Sequence, residues 1–117
     1  MNFSVVQNVS PKELDSWIKG VSKVPFLIDV REQNELLVAP FPYHSLHLPL
    51  SEAKTWVDRL PELLPLDRPI VVICHAGIRS LNFANWLNDQ EASYELWNLE
   101  GGIDAWSLAV DSDVPRY

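Results

Sequence analysis

The chain has 117 residues, 47% of them hydrophobic and five of them Trp, with a formal net charge of −7. This is enough for one domain, residues 1–117, with a real core, and the acidic balance argues against nucleic acid, whose phosphates need a basic patch. One Cys excludes an internal disulfide and fits a reducing compartment, so the cytoplasm is the expected location. Met1 to Gln7 lacks the basic start and apolar stretch of a signal peptide, and no run approaches the length of a membrane span.

Phe3 to Val6 reads as a weak edge strand. Ser10-Pro11-Lys12-Glu13 then opens a helix, with Ser as cap, Pro in the first turn and Glu completing a capping box. Leu14, Trp17, Ile18 and Val21 follow at helical spacing, and Gly20 is placed to help end the helix. Trp17 on such a stripe is a core residue. Val24 to Val30 predicts a buried strand with Asp29 near its C-terminal end, and Glu32 to Val38 a short helix. Pro40-Phe41-Pro42-Tyr43-His44 has to be a loop, because two prolines at this spacing forbid a regular element. His44 and His47 lie here, but no further ligand stands at metal-binding spacing, so no metal site is expected.

Ser45 to Leu50 is the third strand expected, and Ser51 is placed to cap a helix carrying Ala53, Trp56, Val57 and Leu60, ended by Pro61 and Pro65. Pro69-Ile70-Val71-Val72-Ile73 predicts a strand buried on both faces, as in parallel sheets. It ends at Cys74. A helix follows through Leu81, Phe83, Ala84, Trp86 and Leu87 to about Gln90. Tyr94 to Leu99 is the last strand, and Gly101-Gly102 opens a final helix with Ile103 and Trp106. Strands alternating with helices predict an α/β fold with a mainly parallel sheet covered on both faces.

Cys74 therefore stands at the C-terminal edge of a central strand, where open α/β sheets place their ligands. The next helix begins just beyond it. Unpaired amides and the dipole at a helix N-terminus favour a thiolate, which is the nucleophilic form. Gly77 lets the loop fold back so that the amides of His75 through Ser80 converge on one point. Arg79 adds a permanent charge, and its fork of donors can tie loop carbonyls to a carboxylate such as Asp29. An inert buried cysteine is the bland alternative.

Cys74-His75-Ala76-Gly77-Ile78-Arg79-Ser80 resembles the active-site loop of the rhodanese family of small sulfurtransferase domains. Leu27-Ile28-Asp29-Val30-Arg31-Glu32 and Asn98 to Trp106 also match that family, in the same order and spacing, and Val114-Pro115-Arg116-Tyr117 resembles the ending of some single-domain members. The resemblance implies a rhodanese-like three-layer fold with a five-stranded sheet. It makes Cys74 the catalytic residue and His75, Ala76, Gly77, Ile78, Arg79 and Ser80 the substrate-binding loop. Asp29 would help hold that loop, with Arg31 a charge at the pocket edge. The sequence departs from the family's usual Gly-His-Ile-Pro-Gly-like turn, having Pro40 to His44 before the third strand.

The implied activity is that of a thiosulfate sulfurtransferase. A donor such as thiosulfate or a persulfide gives its outer sulfur to Cys74, and a thiol acceptor, which can be a protein, removes it. No cofactor is called for. Alternatives remain open: a persulfide carrier, a non-catalytic partner-binding module, or a cysteine-type phosphatase or arsenate reductase. Phosphatases of that type have five residues between Cys and Arg, whereas four lie between Cys74 and Arg79 here. A smaller ring suits a sulfane sulfur better than a phosphoryl group.

Overall fold

The computed structural model describes residues 5–117. Five strands, β1 (Gln7–Val9), β2 (Phe26–Asp29), β3 (Leu46–His47), β4 (Ile70–Ile73) and β5 (Leu96–Leu99), form one sheet in the order β1-β5-β4-β2-β3. Every pairing is parallel. β4 is at the centre because it can be buried on both faces. Ile70 and Val72 enter one cluster with Ile28, Leu60, Phe83 and Leu87, while Val71 and Ile73 enter another with Leu14, Leu99, Ile103 and Trp106. Successive strand side chains point to opposite faces, and an all-apolar strand satisfies both layers at once.

The helices divide accordingly. α1 (Pro11–Ile18) and α6 (Gly102–Ala109) contribute Leu14, Ile103 and Trp106 to one layer. The broken segment α3 (Ala53–Trp56) and α4 (Leu60–Leu63), with α5 (Ile78–Gln90), contributes Trp56, Leu60, Phe83 and Leu87 to the other. A short α2 (Gln33–Val38) follows β2. The fold is α/β, with an all-parallel five-stranded sheet between two helical layers.

The capping box at Ser10 forms as expected: the Glu13 amide donates to Ser10 Oγ (3.2 Å), and the Ser10 amide to Glu13 Oε1 (3.1 Å). Several boundaries differ from the sequence reading, each for a physical reason. A first strand lies at Gln7–Val9, where it registers on Trp97–Leu99; of the expected Phe3 to Val6, Phe3 and Ser4 lie outside the described residues, and Val5 and Val6 are not in a strand. α1 ends at Ile18, and the Gly20 amide turns back to the Trp17 carbonyl, so Val21 is fully exposed instead of completing the stripe. The third strand shrinks to two residues. Its ladder continues only as far as the bond from the Leu48 amide to the Asp29 carbonyl, because the chain turns into a 3₁₀ helix at Leu50–Glu52, where the next amide facing β2 would stand.

Ser51 does not cap a helix. Its amide and hydroxyl both donate to the Glu32 carboxylate, and a 3₁₀ turn at Leu50–Glu52 precedes α3. Pro61 does not end the segment either. It occupies the first turn of α4, where a missing N–H costs nothing, after a second 3₁₀ turn at Val57–Arg59.

Candidate active site

Cys74 follows β4 directly and is 1% exposed. Two donors lie within hydrogen-bond distance of its sulfur. The Gly77 amide is 3.1 Å from Sγ and the Ser80 hydroxyl 3.2 Å. Of the amides expected to converge from His75 through Ser80, that of Gly77 is the one that reaches Sγ. The Ser80 side chain does part of the work assigned to backbone. The local sequence explains this geometry. Gly77 adopts φ +90 as N-cap of α5 and packs so closely on the next turn that a Cβ there would lie 2.9 Å from the Gly101 nitrogen. The chain thus reverses under the sulfur and starts α5 beside it, with the N-cap amide of Gly77 on Sγ.

A second helix start holds the loop from behind. The Ile103 amide donates to the Cys74 carbonyl (2.9 Å) and the Asp104 amide to that of His75 (3.0 Å). The first turn of α6 therefore neutralises the two carbonyls at the turn, leaving the opposite side of the peptide chain for the sulfur. Gly102, at φ +61, allows this approach. Its Cβ position is 2.4 Å from the Cys74 carbonyl oxygen. The glycine pair expected to open the final helix does so, and it also grips the cysteine loop.

Asp29 does not touch the loop. Its carboxylate accepts from the Arg31 amide, Nε and Nη2 at 2.9 to 3.2 Å, and both side chains are buried (1% and 0% exposed). Residues two apart on an extended segment point the same way, so Arg31 captures Asp29 locally. Arg31 is accordingly not a pocket-edge charge. Its Nη1 donates to the Ala39 carbonyl (2.9 Å) and to the Tyr117 hydroxyl (3.1 Å). His47 places Nε2 2.6 Å from the Arg31 carbonyl oxygen, within the same packed corner.

Arg79 pairs with Glu35 and not with Asp29. Two parallel bonds, Nη1 to Oε1 at 2.7 Å and Nη2 to Oε2 at 2.8 Å, make the contact bidentate. Tyr117 joins this pair to the buried one: its hydroxyl accepts from Arg31 and donates to Glu35 Oε2 (2.9 Å), while its ring stacks on His75 at 4.0 Å. A continuous network therefore runs Asp29–Arg31–Tyr117–Glu35–Arg79 and ends in the loop. Burial pushes the Tyr117 phenol up to about 12, which keeps it a neutral donor. Arg79's hydrogen bonds hold the Glu35 carboxyl at about 2, against the opposing effect of burial, and raise the guanidinium further above its usual range.

The Glu35 shift has a testable sign. The folded value lies below the usual 4.5, so the pair stabilises the fold above that pH and is lost as pH falls towards 2. With Arg79 37% exposed, solvent screening leaves about 1–2 kcal/mol of that. Melting temperatures of wild type and Glu35→Gln should differ above pH 4.5 and converge towards pH 2. A gap that stays constant through this window would contradict the pairing.

Sequence reasoning missed Glu35, Tyr117 and Asn98. Asn98 lies on β5 opposite Val72, with its Nδ2 3.2 Å from the Gly77 carbonyl oxygen. Arg79 also forms part of the wall of an apolar cavity of about 340 Å³, with Trp56, Phe83 and Trp86.

The chain is similar to known proteins. The rhodanese-like domain family model matches residues 10–109. A Rhodanese-like/PpiC domain-containing chloroplastic protein 12 of Arabidopsis thaliana is 40% identical over 78% of this chain, which spans 30% of that protein's length. YtwF of Bacillus subtilis, provisionally named a sulfurtransferase, is 33% identical over 86% of this chain and 90% of its own. The crystal structure of a rhodanese-related protein from Thermoplasma volcanium superposes with a TM-score of 0.70 at 26% identity, covering 93% of this chain and 95% of that one. With its single buried cysteine at the turn after β4, the chain belongs to the rhodanese-like domain family.

Proposed function

We propose that this protein is a sulfurtransferase that carries a sulfane sulfur as a persulfide on Cys74. The observation that carries the reading is the convergence of the Gly77 amide and Ser80 hydroxyl on a sulfur seated at the end of the central strand. Such donors stabilise anionic sulfur, and α5 adds its dipole in the same direction.

In the first step the Cys74 thiolate attacks the outer sulfur of thiosulfate. A new S–S bond forms, the bond to the sulfonate sulfur breaks, and sulfite leaves with the electron pair. The negative charge then rests on the outer sulfur of the Cys74 persulfide, within reach of the free amides at the start of α5. In the second step cyanide, or a thiolate in a natural reaction, attacks that outer sulfur and regenerates the Cys74 thiolate. Neither step needs a proton transfer, in keeping with a loop whose cation is already paired. No second cysteine exists to resolve the persulfide, so an external acceptor must take the sulfur. A carbon-rich acceptor could rest in the apolar cavity beside Arg79.

The phosphatase reading is disfavoured by the commitment of Arg79. Both arms of its fork are engaged by Glu35, so neither is turned to clasp a phosphoryl group. Wild-type protein should transfer sulfur from thiosulfate to cyanide and show no hydrolysis of aryl phosphates above background. Inserting one Gly after Ala76 should damage sulfur transfer and widen the loop for oxyanion inhibitors. Efficient phosphate-ester hydrolysis by the unmodified chain would hand the site to the phosphatase reading.

A further inference from the structure

Ser80 has one hydroxyl proton and two acceptors for it, both buried. Its Oγ is 3.2 Å from Cys74 Sγ and 2.5 Å from Asn98 Oδ1. The Asn98 side chain is fixed in orientation, because Nδ2 donates to the Gly77 carbonyl and to Asn8 Oδ1, each at 3.2 Å. Asn8 is its register partner on β1. The acceptor oxygen of Asn98 is thereby turned to Ser80.

We propose that Asn98 is a positioning residue for the nucleophile, holding the Ser80 proton while Cys74 is a thiol and yielding it when charge develops on Sγ. In the thiol state the S–H donates to Ser80 Oγ and the hydroxyl donates to Asn98, so every group has a partner. Once the thiolate forms, sulfur and Asn98 compete for one proton. The charge-assisted bond is the stronger, so the hydroxyl turns to sulfur and leaves Oδ1 without its donor. Asn98 thus favours the thiol and moderates the nucleophile. In the persulfide, a part of the argument that rests on the sulfur-transfer reading, Sγ becomes a neutral bridging atom and the hydroxyl returns to Asn98. The loop amides are then left to the charged outer sulfur.

The charged groups around Cys74 are not altered by a change at Asn98. Arg79 faces it from α5 and is paired with Glu35 of α2; Asp29 and Arg31 are paired at β2. On α6, Asp104 is paired with Arg116, and His75 lies against Tyr117. A changed pH profile in an Asn98 variant therefore reports on the hydroxyl.

The test is the rate of Cys74 alkylation by iodoacetamide against pH, which reads the thiol itself and is independent of whether sulfur transfer occurs. Asn98→Leu should move the half-maximal rate down by about one pH unit. Ser80→Ala should move it up, and adding Asn98→Leu to Ser80→Ala should cause no further movement. A variant that merely loosens the loop would shift the profile whether or not Ser80 is present. Asn8→Ala, which removes one of the two anchors of Asn98 and leaves the bond to the Gly77 carbonyl, should move the profile down by less and decides the matter if Asn98→Leu does not fold. An unchanged or upward profile in the single Asn98 or Asn8 variants, or the same downward shift without Ser80, would overturn the proposal.

Discussion

Replacing Cys74 by serine is expected to reduce sulfur transfer to the uncatalysed level while leaving the protein folded. A serine hydroxyl does not ionise in the working pH range and forms no bond equivalent to a persulfide. The fold should tolerate the change, because the Gly77 amide and the Ser80 side chain would still meet a hydrogen-bonding atom there. The cost in stability should stay within about 1 kcal/mol, the scale of one exchanged hydrogen bond. The measurements are the rate of thiosulfate-to-cyanide transfer and the melting temperature of both proteins. A variant that still turns over at the wild-type rate would contradict the mechanism.

The largest effect on stability is expected from Gly102→Ala. The new Cβ would meet the Cys74 and His75 carbonyl oxygens at 2.4 and 2.5 Å, at a residue whose φ of +61 already disfavours a side chain. Backbone strain and overpacking together should cost about 2–5 kcal/mol, which for a domain of this size lowers the melting temperature by roughly 10–20 °C. The neighbours cannot yield cheaply, since they are backbone atoms bonded to the Ile103 and Asp104 amides. Relief of the clash would push α6 off the loop and displace Cys74. Sulfur transfer should therefore fall even at temperatures where the variant is folded. A melting temperature within 2 °C or so of wild type would show that the two turns are not tightly coupled.

The central strand, the loop glycine and the helix beyond it were legible in the sequence because each is written in neighbouring residues. An apolar run, a lone cysteine, Gly77 and the stripe from Leu81 to Leu87 lie within one short stretch. The same holds for Ser10 with Glu13, whose capping box depends on a spacing of three. Partners fixed by topology were not legible. Arg79 meets Glu35 across 44 positions, and the competing choice of Asp29 failed because Arg31, two residues away, had already satisfied it. Tyr117 reaches Arg31 from 86 positions away, and no periodicity marks such a contact. Asn98 was legible only as part of the last strand and of the stretch that resembles the family, with no role of its own. Its role depends on β5 lying beside β4, and strand order is not written in any one segment. The departures at Ser51 and Pro61 have another origin. Residues favoured at helix starts recur several times between Pro49 and Pro65, and only packing of Trp56 and Leu60 selects among them.

The most direct measurement is the intact mass of the protein after incubation with thiosulfate and removal of the small molecules. Wild type should gain the mass of one sulfur atom, and Cys74→Ser should gain none. Subsequent cyanide should return wild type to its starting mass with stoichiometric release of thiocyanate. A wild-type mass unchanged by thiosulfate and by organic persulfide donors alike, or the same gain in Cys74→Ser, would contradict a persulfide on Cys74.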